Sequence, residues 1–290
     1  MSFDLSFTAF QEHDAPLTYG VDTCPDAPPE GERWSSWDGA THGPKPRPGW
    51  VITELGAVEA DLGVLKTGKE ADVHLVRRWL PGSPDRDVVM AAKRYRSNEH
   101  RMFHRDAGYL EGRRVRKSRE MRAMRTRTAF GKSLIGGMWA YTEFETLGRL
   151  WGEGLPVPYP VQHSEDEMLM EFIGTPDGEA APRLAQTRPP AEVLPDLFAQ
   201  LRDAMVRLAE LGWAHGDLSP YNVLLDSRDG AHRLVIIDWP QVVDVIGNPH
   251  GMEFLERDTR NMCDWFTRRG YAVDGGELFG DLVAAATSRW

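Results

Sequence analysis

Two apolar runs, Val73–Val76 (VHLV) and Val88–Tyr95 (VVMAAKRY), flank the turn-forming stretch PGSPD and predict two strands joined by a turn. Before them, Val51–Glu59 has room for a short strand or helix. Phe144, Leu147 and Leu150 recur every three residues and predict a helix over Trp139–Leu150. Met168–Gly174 (MLMEFIG) reads as a short apolar strand that ends at a glycine. After a loop rich in Pro and Ala, Val193, Leu194, Leu197, Phe198, Leu201, Met205 and Leu208 fall on one face of a helix from about Ala191 to Leu211, with Gly212 just past its end. A strand at RLVIIDW and two helices, near Met252–Arg268 and Glu277–Ser288, complete the pattern. No internal repeat is present. Strands gathered before helices predict an α+β fold of two lobes with a cleft between them.

Composition refines this outline. Residues 1–50 hold seven prolines and no apolar period, so an extended, mobile leader is expected, too proline-rich for a winged helix. A first lobe over 51–173 and a helical second lobe over 174–290 follow. An apolar fraction of 41% and ten tryptophans suffice for a core. Cys24 and Cys263 cannot make a disulfide framework, and free thiols in a reducing compartment are expected. The chain has neither an apolar run of membrane-spanning length nor a secretory pattern in its opening MSFDLSFTAFQEHD, so a cytoplasmic location is expected.

Charge is uneven. The net charge is −10, yet Arg94–Lys132 carries 13 Lys+Arg against 4 Asp+Glu, an excess of +9 that leaves −19 for the rest. The basic insert, 96–132, far exceeds an ordinary strand-to-helix connection. It reads either as a solvated loop or as an arm that meets RNA phosphates.

The chemistry concentrates in His215-Gly216-Asp217-Leu218-Ser219-Pro220-Tyr221-Asn222 and in Ile236-Ile237-Asp238. An Asp and an Asn five residues apart, then an Asp ending an apolar strand, suit phosphoryl transfer. One carboxylate orients a hydroxyl, while the amide and the second carboxylate hold magnesium on phosphates. Taken alone the loop reads equally well as a capping Asp and a turn Asn. Upstream, Lys93 ends an apolar strand, where a lysine can grip phosphates, and Glu143 on the next helix is its natural ion partner. Lys66-Thr67-Gly68-Lys69-Glu70-Ala71-Asp72-Val73 runs from loop to strand, and its amides and Lys69 could cover phosphates. Each feature is weak by itself; their order along the chain makes them jointly specific.

TGKEADV, MEFIG, HGDLSPYN and NPHGMEFLERDTRNMCDWF resemble the phosphate loop (typically STGKEA in one subfamily), hinge, catalytic loop and terminal helix motif of the RIO family of atypical serine/threonine kinases. The likeness runs from about Ile52 to Phe266. It implies a bilobal protein-kinase-like fold with ATP and Mg2+ (or Mn2+) as cofactors. It also implies that Asp217 is catalytic, that Asn222 and Asp238 are metal ligands, and that Lys93 grips phosphates with Glu143 as its partner. Backbone groups of Glu171 and Ile173 would receive adenine. In the family the counterpart of Asp238 is associated with an aspartyl-phosphate, and the family's link to ribosome maturation suits an RNA or ribosomal partner for the basic insert. Asp258, in ERDTRN, is expected to be buried and to serve the catalytic loop's amides.

The chain departs from the pattern in having Trp239 after Asp238 and Asp72 where Asn is frequent. HGDL…IDW also resembles the aminoglycoside and choline phosphotransferases, so a small-molecule acceptor is an alternative, as is an ATP-gated non-catalytic binding module. Ser219 stands where ordinary protein kinases have a Lys, and about a dozen residues separate Asp238 from the Met252 helix. A peptide platform and a long activation segment are therefore not expected.

Overall fold

The computed structural model describes residues 27–28, 30–96, 129–239 and 242–288. The first lobe is an antiparallel sheet. Its two-residue strands β1 (Arg33–Trp34) and β2 (Thr41–His42) precede the long β3 (Val58–Thr67), β4 (Ala71–Leu80) and β5 (Ser83–Tyr95). Helix α1 (Ala129–Gly152) crosses to β6 (Pro160–Ser164) and β7 (Glu167–Glu171), giving seven strands in the order β1-β3-β4-β5-β7-β6-β2.

Residues 33–50 differ from the expected leader. β1 pairs with β3 and β2 with β6, so this stretch closes both edges of the sheet. Its apolar content is isolated tryptophan with no period, which hid it from a pattern reading. Trp37 is buried and stacks on His42 with ring centroids 3.8 Å apart. Pro44 accepts a hydrogen bond from the Tyr159 hydroxyl at 2.8 Å, and such short edges tolerate proline because little of their ladder faces the sheet.

β3 was not evident from alternation, because register shifts at Asp61/Gly63 and Val64/Lys66 break its period. The β4–β5 turn is tighter than PGSPD, with Leu80 paired to Ser83. α1 begins ten residues before the expected Trp139, in a Gly-containing stretch without a helical period. Of the basic insert, Arg96 bonds Asp72 at the sheet's end, and residues 97–128 lie outside the described residues.

The second lobe is built on α2 (Leu194–Glu210), α3 (Gly251–Arg268) and α4 (Gly275–Thr287). Between them lie β8 (Trp213–Ala214) and β11 (Val243–Asp244), which pair, and β9 (Val223–Asp226) and β10 (Arg233–Ile236), which form a hairpin. α2 buries the predicted stripe at Leu194, Leu197, Leu201, Met205 and Leu208, against a core that includes Met262, Phe266 and Leu282. This is the expected two-lobed α+β arrangement. Among the described residues no helix is long and apolar enough to cross a membrane.

Candidate active site

Lys93 sits in the middle of the sheet, paired with Val73 on one side and Met168 on the other. α1 packs behind this region through a stripe at Ala140, Glu143, Leu147 and Leu150, all buried. Glu143 thus occupies a core position of an amphipathic helix, and a buried carboxylate persists only when partnered. Lys93 Nζ lies 2.8 Å from both of its carboxylate oxygens and 3.0 Å from Asp238 Oδ1. The Tyr95 hydroxyl and the Trp239 amide also donate to Glu143. Burial alone would lower the Lys93 ammonium, but Glu143 and Asp238 outweigh it and hold it above the usual lysine range. Burial likewise works to raise Asp238, and Lys93 overrides it to hold the carboxyl below its ordinary value.

Asp238 itself has φ 69°, a left-handed conformation that a non-glycine residue rarely adopts. Strain of this kind is kept where surrounding contacts demand it. The neighbouring Trp239 is buried, donates from its indole to the Ile236 carbonyl at 2.9 Å and packs against His215 with ring centroids 4.5 Å apart.

The His215–Asn222 loop is held from below by three residues of α3. Asp258 accepts from the Gly216 amide at 2.7 Å and from the Leu218 amide at 2.9 Å. Arg257 donates to the Gly216 carbonyl, and Asn261 donates to the Leu218 carbonyl at 3.0 Å. The peptide groups on both sides of Asp217 are therefore tied to one helix, while Asp217 itself is exposed. Gly216 (φ 83°) takes a left-handed turn that a side chain would oppose. His215 Nδ1 accepts from the Asp217 amide at 3.3 Å, which leaves Nε2–H to donate to the Ile237 carbonyl at 3.1 Å. Burial keeps this imidazole below its usual pKa, and therefore neutral.

Asn222 donates from its amide nitrogen to the Asp217 carbonyl at 2.9 Å, so its oxygen is the atom that can ligate a cation. Its own carbonyl accepts from the Ile237 amide at 2.9 Å, which ties this loop to the residues just after β10 that include Asp238. Among the described residues no cluster of three or more His, Cys, Asp or Glu side chains is arranged to hold a metal. One carboxylate plus one amide oxygen suits a hard cation that is also held by phosphate and water.

Lys69 is exposed at the tip of the β3–β4 turn, which the Gly68 amide closes onto the Ala71 carbonyl at 3.0 Å. Glu171 ends β7, and its amide donates to the Tyr159 carbonyl at 2.8 Å. Ile173 follows in the connection between lobes, its carbonyl accepting from the Ala181 amide at 2.9 Å. Around this hinge Phe172, Leu75 and Ala91 form a small apolar cluster with Val73, Val89 and Met170. Val73 and Lys93 are direct cross-strand partners, so that cluster shares a sheet face with Lys93.

The sequence reading missed Arg257, Asn261 and Trp239 as site residues. ERDTRN places Arg257, Asp258 and Asn261 on one helical face, which was a usable signal. The targets of Arg257 and Asn261, however, are backbone carbonyls that no side-chain pattern reveals, whereas the amides bonded by Asp258 were the expected ones.

The RIO domain family model matches residues 85–277. The RIO-type serine/threonine-protein kinase Rio1 of Haloferax volcanii is 35% identical over 231 residues, which cover 79% of this chain and 71% of that protein. The serine/threonine-protein kinase RIO1 of Chaetomium thermophilum is 32% identical over 72% of this chain, although only 39% of that longer protein is spanned. A crystal structure of the Rio2 kinase from Chaetomium thermophilum, an ADP/Mg2+-phosphoaspartate complex, superposes with a TM-score of 0.54 at 21% identity. It covers 79% of this chain and 66% of the other, a likeness of fold. The motifs, the architecture and these matches agree: the chain belongs to the RIO domain family.

Proposed function

We propose that this chain is an ATP-dependent phosphotransferase of the RIO serine/threonine-kinase type. The observation that carries the reading is Lys93, fixed between Glu143 and Asp238 at 2.8–3.0 Å, with Asp238 next to the Ile237 amide that bonds Asn222. Curated relatives named as serine/threonine-protein kinases support it, as does a structural neighbour described with ADP and Mg2+.

The parts divide the work. The apolar cluster around Phe172 and Ala91 accepts the adenine ring. The Glu171 amide and the Ile173 carbonyl are already bonded, so the Glu171 carbonyl and the Ile173 amide are the groups assigned to the base. Lys93 grips the phosphates, and Glu143 keeps its ammonium in place. Asn222 and Asp238 would hold Mg2+, which neutralises charge on the phosphates when bound. Asp217, fixed by α3 through its flanking peptides, orients the attacking hydroxyl or water.

With Ser219 in place of the usual Lys, a peptide hydroxyl is poorly positioned, so slow ATP hydrolysis is the favoured activity. The phosphoaspartate in the Rio2 complex supports a covalent route in which an Asp238 oxygen attacks the γ-phosphorus. The bond to the β-phosphate oxygen breaks, ADP leaves, and water then cleaves the acyl phosphate to phosphate and carboxylate. The basic insert is assigned to RNA on its charge alone, and such binding weakens steeply with salt.

Titration of the chain with ATP, with and without Mg2+, tests the reading. Asp238→Ala should abolish the Mg2+-dependent part of the affinity. Equal affinity for wild type and variant in Mg2+ would overturn it. Rapid transfer to an aminoglycoside or choline-like acceptor would instead select the small-molecule alternative.

A further inference from the structure

Lys66 and Lys93 leave the sheet on the same side. Lys66 is the direct partner of Val73, and Val73 is the direct partner of Lys93. Side chains at directly opposed positions share a face, and two strand spacings put the two lysine backbones roughly 10 Å apart. Lys93 uses that face to reach Glu143 and Asp238. Lys66 therefore overhangs the same cleft, two strands further from the hinge strand β7 and beside the phosphate-loop turn.

A second cation approaches from the other lobe. Arg183 bridges to Leu224 at the start of the β9–β10 hairpin and donates to the Tyr221 carbonyl, one residue before Asn222. That bond places its guanidinium beside the loop that carries Asn222. Lys66 senses it across the gap: burial and then Arg183 lower the Lys66 ammonium, Asp238 pulls the other way, and Lys93 adds to the lowering. Lys66 and Lys93 thus share one face of the sheet, and Arg183 lies beside the loop that carries Asn222. Like charges in mutual reach are relieved by an anion placed between them. The phosphate-loop motif this chain resembles reads STGKEA, and here Lys66 stands in place of its Ser. Lysine brings a charge and a longer reach to that position.

We propose that Lys66 and Arg183, one from the roof and one from the floor, form a second cationic grip on the phosphate chain of the bound nucleotide, at the cleft mouth and separate from Lys93. This rests on the nucleotide-binding reading above. The grip makes affinity depend on the phosphate chain more than on the base, and it is attuned to nucleoside triphosphates.

Calorimetric titration of the full chain with MgATP, MgADP and adenosine tests it, with melting curves alongside. Lys66→Ser should weaken MgATP by about tenfold, MgADP by less, and leave adenosine within about twofold, as expected for loss of one charge-assisted contact. The salt dependence of MgATP binding should become shallower, and Lys66→Arg should restore most of the affinity. Arg183→Gln should show the same preference for losing the triphosphate. If wild type binds MgATP and Lys66→Ser binds it equally well, the grip is wrong and the phosphotransferase reading stands. An equal loss for adenosine and MgATP also overturns it, since that reports damage to the base slot. A wild type that binds no MgATP overturns the nucleotide reading, and the grip with it.

Discussion

Lys93 Nζ lies 2.8 Å from each carboxylate oxygen of Glu143, across fifty residues of chain. The pair is nearly dry, with side-chain exposures of 11% and 2%. Removing the ammonium leaves a buried carboxylate with the Tyr95 hydroxyl and the Trp239 amide as its remaining donors among the described residues. Lys93→Ala should therefore lower stability by about 3 kcal/mol. It should also cut turnover by at least about tenfold, since one lost phosphate contact exceeds about 1.4 kcal/mol. Urea unfolding and steady-state ATP turnover check the two effects separately. Turnover within twofold of wild type would remove Lys93 from the phosphate-gripping role.

Asp217 offers a cleaner separation of binding from chemistry. Its side chain is exposed, and its position is set by the peptides on either side, both held by α3. Asp217→Asn should fold normally and bind MgATP within about threefold of wild type, because the carboxylate faces the nucleophile. Turnover should drop by at least about a hundredfold, the usual range for a lost general base. Single-turnover ATP hydrolysis measures this. In the wild type, any phosphate on the protein should be released by hydroxylamine, whereas acid-stable phosphoserine would contradict the acyl-phosphate route.

Asp258 supplies a pH signature. Burial pushes its carboxyl up to about 7 despite the two amide donors. A proton held more tightly in the folded state gives stability that is fully present below the ordinary carboxylate pKa and is lost as pH rises through about 7. Wild type should lose stability between pH 5 and pH 8, and Asp258→Ala should lose less over the same span. At pH 5 the variant should itself be weaker by about 2–4 kcal/mol, because it strands the Gly216 and Leu218 amides. Denaturant melts at both pH values decide it; parallel pH profiles would contradict the assignment.

The first lobe contains a second buried ion pair, remote from the cleft. Arg78 and Glu59 are both 0% exposed and 2.6 Å apart. Arg78 also donates to Gln162 at 2.6 Å and to the Ile52 carbonyl at 3.2 Å, linking β4 to β6 and to the segment before β3. Arg78→Met should destabilise by about 3 kcal/mol and leave the nucleotide affinity of the folded fraction unchanged. A loss under about 1 kcal/mol would mean that Arg33, 2.8 Å from Glu59, suffices alone.

The sequence by itself determined the elements that local pattern encodes. The α2 stripe from Leu194 to Leu208, the helices near 252–268 and 277–288, and the apolar strands that carry Lys93 and Glu171 all follow from the runs and spacing of apolar side chains, although the second strand ends at Glu171 and not at the expected Gly174. The order of Lys93, Glu143, Asp217, Asn222 and Asp238, with the motifs around them, carried the family resemblance. Tertiary structure alone decided the rest. Trp37 and the edge strands of 33–50 were hidden because single aromatic anchors and two-residue strands have no period. β3 was hidden because its bulges break alternation. The bonds of Asp258 to the Gly216 and Leu218 amides were expected from the resemblance, whereas those of Arg257 and Asn261 are made to carbonyls that are alike at every position of the chain. Lys66 acquires its place over the cleft from strand register, and register is fixed by which faces can be buried together.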